Sequence, residues 1–214
     1  MVRTIFSIPA LIAIRATALH RLLGLSLVVF IAAHLGNHIA LFWGVEQHLA
    51  VQEALRKIYR HTVIETILVA GFAIQLFLGM RLLIKRGWPR RFWSRLQWLS
   101  GVTLVLFLVQ HVGAVLYTRA FWPSIDTNIY WAASVVSQTN SALYFAPYYV
   151  LGVSAFFVHI AAFVALKKRR MRLAWAVCIL GGMLSIALVM ALSGAFYSID
   201  LPLPYVSYLN AAGF

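Results

Sequence analysis

Apolar residues run along this chain in long, nearly unbroken stretches, without the strict alternation of a strand. Four stretches of about 18 or more residues carry almost no charge and a fifth is nearly as clean, so each can carry a helix across roughly 30 Å of hydrocarbon. The pattern places spans at approximately 20–43, 62–84, 98–118, 145–166 and 173–197. Membrane barrels need repeated two-residue periodicity, which is missing here. The predicted class is therefore all-α: one integral membrane bundle of five transmembrane helices occupying residues 1–214, without a visible domain boundary.

The connections differ in kind. After the second span, KRGWPRRFWSR mixes arginine with aromatic rings, as a segment at the headgroup level does. Residues 44–61 have helical periodicity, with Val45, Leu49, Leu55 and Ile58 as the apolar positions. Residues 119–144 carry Trp122, Tyr130, Trp131 and Tyr144, read as an outer aromatic belt broken at Pro123. Pro202 and Pro204 are read as ending the fifth helix. The segment Phe6–Ile14 resembles a signal-peptide core but runs almost directly into the first span, which makes it an interfacial segment.

Composition agrees with the pattern: 63% of the 214 residues are hydrophobic and 11% are charged. The net charge of +13 invites a nucleic-acid reading, which its placement rejects. With five spans, 14 of the 18 Lys and Arg residues fall on one side of the membrane, and only Arg56, Lys57, Arg60 and Arg119 fall on the other. All five acids (Glu46, Glu53, Glu65, Asp126 and Asp200) lie on that second side or close to it. Short basic loops stay cytoplasmic, so the N-terminus is expected inside and the C-terminus outside; the expected location is the cytoplasmic membrane of a bacterium or archaeon. The basic side can meet anionic lipid or a docked partner. The single cysteine, Cys178, allows no internal disulfide and no thiolate metal cluster.

One internal repeat stands out. LHRLLGLSLVVFIAAHLG (Leu19–Gly36) aligns without gaps with LQWLSGVTLVLFLVQHVG (Leu96–Gly113), matching Gly24 with Gly101, Phe30 with Phe107, His34 with His111 and Gly36 with Gly113. Apolar filler explains the leucines but not the matched Gly, His and Gly. His34 lies 13 residues beyond Arg21 and His111 lies 14 beyond Gln97. At 1.5 Å per residue both sit roughly 20 Å from the inner edge, on helices running the same way. Two imidazoles at one depth on neighbouring helices are what bis-histidine ligation of a haem requires. The four glycines leave room for a flat macrocycle or a close helix neighbour. His159 lies roughly 12 Å from the inner edge. A second haem there would need a partner at the depth of Gln75, a poor ligand. A zinc ion is a competing use of His34 and His38, one turn apart, but no cysteine and few carboxylates stand near them.

At these motifs the chain resembles the membrane cytochrome b subunit of succinate dehydrogenase and quinol:fumarate reductase, in its single-chain, five-helix form. The pieces that carry the resemblance are LHRLLG (Leu19–Gly24), HLGNHIALFWGVE (His34–Glu46), QLFLGMR (Gln75–Arg81), SGVTLVLFLVQH (Ser100–His111) and GVSAFFVH (Gly152–His159), in family order. The resemblance implies haem b held by His34 and His111, with the family's inner pair falling on Gln75 and His159, only one of which is a histidine. It implies a flavoprotein and an iron–sulfur protein docked on the cytoplasmic face, passing electrons from succinate to a membrane quinone, with a possible higher oligomer of the complex. His20 and Arg21 are similar to a histidine–arginine motif beside the inner quinone site, where Arg21 can hydrogen-bond a quinone carbonyl. His38, His61 and Glu65 are the expected proton-exchange groups near the outer face. Alternatives are a cytochrome b anchor of another dehydrogenase, for which four main spans are expected, and a haem-free membrane scaffold or small transporter. The repeat here is parallel rather than inverted, which disfavours a transporter.

Overall fold

The computed structural model describes residues 8–211 and Gly213, with side chains from Ala16 onward. The interfacial reading of Phe6–Ile14 and the charges of Arg3 and Arg15 lie outside the described side chains. Among the described residues there are eight α-helices and no strand: α1 (Ile8–Ala40), α2 (Val45–Tyr59), α3 (Thr62–Arg86), α4 (Phe92–Phe121), α5 (Ile129–Ser137), α6 (Thr139–Phe163), α7 (Met171–Leu192) and α8 (Leu203–Ala211). Five helical stretches are long and apolar enough to cross a membrane: Ala16–Trp43, Thr62–Arg86, Phe92–Phe121, Thr139–Lys168 and Met171–Leu192. The chain is a multi-pass membrane protein. Side chains such as Val29 (74% exposed), Ile84 (77%) and Leu143 (78%) stand outward, where only lipid tails suit them.

The helix ends depart from the hydropathy pattern because backbone hydrogen bonding does not stop where the hydrocarbon does. α4 starts at Phe92, so the aromatic half of KRGWPRRFWSR is helical and the connection shrinks to residues 87–91. Gly87 ends α3 with φ 61° and ψ −166°, a backbone conformation that only glycine adopts without steric cost. α7 stops at Leu192, well before the prolines, in a turn at Ser193 and at Gly194 (φ 78°). Pro202 and Pro204 instead flank the start of α8, where a missing N–H is harmless. α6 contains Pro147 roughly a third of the way along and ends in a π-helical turn, Val164–Lys168, before Arg169 reverses the chain at φ 53°.

The bundle has two layers. α1 packs on α3, α4 packs on α6, and α6 packs on α7, with α3 and α4 meeting through their short connection. α1 and α4 are not among the closely packed helix pairs. The largest buried apolar cluster lies at the end of the bundle away from the basic loops, where Leu41, Ile129, Val135, Val136, Ala191, Leu192 and Leu209 meet. The connection read as an aromatic belt is a cap: α5 is almost wholly buried, begins with the Asn128 side chain accepting from the Tyr130 N–H at 2.9 Å, and hides Trp131 at 8% exposure. α2 joins that cap. Its inward face carries His48 and Gln52, with Val45 and Leu49 packed against the cap cluster, whereas Ile58 is 61% exposed.

Candidate functional site

A cavity of about 1330 Å³ separates the α1–α3 layer from α4 and α6 and runs nearly the length of the bundle. Protein interiors seldom leave voids larger than a water molecule, and ligand pockets usually enclose about 300–1,000 Å³. Most of its lining is apolar, with polar groups gathered at three levels.

At the level nearer the cap, His34 on α1 and His111 on α4 face each other with ring centres 6.0 Å apart and planes inclined at 64°. Each ring rests on a phenylalanine one turn earlier in its own helix. Phe30 stacks on His34 at 5.8 Å and 12°, and Phe107 on His111 at 5.2 Å and 11°. Residues four apart share a helical face, so the repeated Phe–His spacing builds the same device twice. Phe107 is itself wedged between Tyr148 (ring centres 4.8 Å apart) and Gly152, where an added Cβ would fall 2.1 Å from the ring. A metal–nitrogen bond of about 2.0 Å to each ring, plus the ring radii, spans roughly 6 Å, so the imidazole pair has the spacing for one iron between them. Among the described residues no three His, Cys, Asp or Glu side chains group to hold a metal ion, so the zinc reading of His34 and His38 finds no third ligand.

Next to this pair the imidazoles continue toward the cap: His38 lies 4.7 Å from His34 and His48 lies 5.3 Å from His38, ring centre to ring centre. His48 Nε2 meets Asn37 Nδ2 at 3.2 Å. Burial first, then the charges of His34 and Arg56, hold the His48 imidazole down at about 4. The Nδ1 atoms of His38 and His48 and the Asn37 Oδ1 are buried without a protein partner. His48 and Asn37 were not singled out in the sequence. The signal was available: α2 places His48 and Gln52 on one face, four residues apart.

The structure does not gather His38, His61 and Glu65. His61 precedes α3, is exposed and stands outside the cavity lining. Glu65 is forked onto Arg119, which draws its carboxylate to the end of α4. Only His38 touches the imidazole chain.

At the basic end the cavity is lined by His20, Arg21, Gln75 and His159. Gln75 does not pair with His159; its Nε2 lies 3.5 Å from His20 Nε2. His159 Nδ1 instead lies 3.1 Å from Ser100 Oγ, whose one proton goes to the Gln97 carbonyl at 3.2 Å. In the tautomer that keeps the Ser100–Gln97 bond, Ser100 accepts from His159 Nδ1–H and Nε2 of His159 is an acceptor. With the Gln75 amide so placed, His20 accepts at Nε2 in the tautomer protonated on Nδ1; that Nδ1 and Gln75 Oε1 are both buried without a partner. Arg21 is exposed at the rim. Of the repeated glycines, Gly24 and Gly101 line this part of the cavity, where a Cβ would meet Gln75 at 3.0 Å and Leu83 at 3.2 Å; Gly36 and Gly113 lie outside the cavity lining with nothing within 4 Å.

Comparison with family models, with curated proteins and with solved structures finds no match for this chain. The fold and the site therefore define a class only: a five-span membrane protein with a long internal cavity, crossed by a facing imidazole pair.

Proposed function

We propose that this chain is the haem b-carrying membrane anchor of a succinate:quinone oxidoreductase, in the cytoplasmic membrane of a bacterium or archaeon with its basic loops inside. The observation that carries the reading is the 6.0 Å separation of His34 and His111 across a cavity between two helices that do not pack on each other. Helices of a bilayer bundle ordinarily close on one another through small residues. Here the gap is lined by aromatic and aliphatic side chains that suit a large flat apolar ligand. When bound, haem b supplies one-electron transfer between a cytoplasmic flavoprotein and iron–sulfur protein and the quinone. His34 and His111 would hold its iron, each ring positioned by the phenylalanine stacked against it.

Quinone chemistry belongs to the basic end. A ring entering beside Arg21 meets His20 Nδ1–H as a donor to one carbonyl oxygen and His159 Nε2 as an acceptor for the hydroxyl formed on reduction. Ser100 fixes the His159 tautomer, and Arg21 steadies negative charge on the reduced oxygen. His159 thereby has a role that needs no second haem, for which Gln75 gives no ligand. Lysine and arginine at this rim, among them Lys85, Arg86, Arg91 and Lys167, face the docking partners.

A pyridine haemochrome assay and redox difference spectra of the purified chain test the reading. The expected result is one low-spin b-type haem per chain, lost or converted to high spin in His34→Ala and in His111→Ala. No haem in the native chain, or an unaltered low-spin spectrum in both variants, overturns it and leaves a haem-free scaffold. Succinate-driven quinone reduction in membranes with and without the chain separates a succinate complex from another dehydrogenase.

A further inference from the structure

The cavity does not end at the imidazoles. Beyond them, toward the cap, its walls turn from apolar to cationic: Arg56 and Arg60, from the end of α2, and Arg119, near the end of α4, all line it. Arg119 lies eight residues past His111 on the same helix, so its Cα is about 12 Å further along.

Three guanidinium groups here share two carboxylates. Arg119 is forked onto Glu65, and Arg56 Nη1 holds Asp126 Oδ2 at 2.7 Å. Among the described residues, Arg60 has the second oxygen of that same carboxylate, at 3.7 Å, and the Thr127 hydroxyl at 3.0 Å. Arg56 Nε is buried without a partner. Burial, and then repulsion from Arg56 and Arg119, lowers the pKa of Arg60, with Asp126 offsetting part of this. A guanidinium stays charged in proteins, so the cluster keeps an unmatched positive charge beside the apolar cavity. What fits is a ligand with an apolar plane and an anionic edge.

We propose that Arg60, flanked by Arg56 and Arg119, receives the two carboxylates of the haem, so that the macrocycle stands with its carboxylate edge toward the cap and its apolar edge toward the basic end. This assignment rests on the haem reading above. It gives Arg60 a partner for its forked donors, and it keeps the ligand's charge out of the bilayer centre.

The test uses the full chain, freed of haem in detergent, and compares uptake of haem with uptake of haem dimethyl ester, which keeps the iron and the plane but has no carboxylates. The native chain is expected to bind the free acid about tenfold or more tightly than the ester, since hydrogen bonds to charged groups contribute at that level. Arg60→Gln should bring the two affinities together and lower the haem midpoint potential, while Arg60→Lys keeps part of both. Equal affinity for acid and ester in the native chain, with the low-spin spectrum intact, overturns the carboxylate seat and leaves the axial assignment standing. Equal weakening of both forms by Arg60→Gln also overturns it, because that is a folding effect. Failure of the native chain to bind either form overturns the axial assignment, and the carboxylate seat with it.

Discussion

Two adjacent glycines in α7 offer a controlled test of the packing. A Cβ on Gly181 would lie 2.2 Å from the Cβ and Cγ of Phe157 on α6, whereas a Cβ on Gly182 would have nothing within 4 Å. Carbon atoms pack at about 3.5–4.0 Å, so Gly181→Ala forces more than about 1 Å of separation. The atom in the way is a Cβ, fixed to its backbone, so rotation of the ring gives no relief and the helices themselves must part. Overpacking of this kind costs about 1–3 kcal/mol. Both substitutions gain the same helix propensity, up to about 1 kcal/mol, so their difference isolates the contact. Unfolding in mixed micelles titrated with a denaturing detergent, followed by far-ultraviolet circular dichroism, is expected to show Gly182→Ala unchanged or slightly more stable. Gly181→Ala should unfold earlier by about 1–3 kcal/mol relative to it. Coincident midpoints would refute the close α6–α7 contact.

Two further outcomes follow from the site. Gly152→Ala drives a methyl group into Phe107, which is held by His111 on one side and Tyr148 on the other, so it should perturb any chromophore bound at His111 as well as lower stability by about 1–3 kcal/mol; an unchanged spectrum would show the stack to be incidental. His48 is held down at about 4 in the folded chain against about 6.5 unfolded, so the unfolded state binds the extra proton between those values. Stability from this group is complete above about pH 6.5 and falls by up to about 1.4 kcal/mol per unit as pH drops toward 4. His48→Gln should flatten that limb of the stability profile, and an identical slope in the variant would refute the assignment.

The spans were legible because a long apolar run in a chain this poor in charge has one physical use. Their ends were not, since α4 continues through Phe92–Arg95, where aromatic and basic side chains sit comfortably beyond the hydrocarbon while the backbone stays helical. Hydropathy did not point to the polar residues that α2 turns inward, for a related reason. In a membrane protein an apolar residue such as Ile58 can face lipid, and the buried positions can be polar, as His48 and Gln52 are. The shared height of His34 and His111 was readable, because rise per residue fixes height and the repeat fixes direction. Rotation about the helix axis is not fixed by depth. Gln75 was matched to His159 by height, yet it turns to His20, and His159 turns to Ser100.

The facing imidazoles come from helices that are far apart in the chain and do not pack on each other, and this has a consequence for biogenesis. A ribosome feeding the chain into the bilayer delivers His34 early, and α1 can pair with α3 as soon as that hairpin is inserted. The opposing ring arrives only with α4, and Phe107 is wedged in place only once α6 has followed. Loading of any cofactor at this position therefore waits until late in insertion, and a chain truncated before α6 would present one imidazole without its opposite number properly seated.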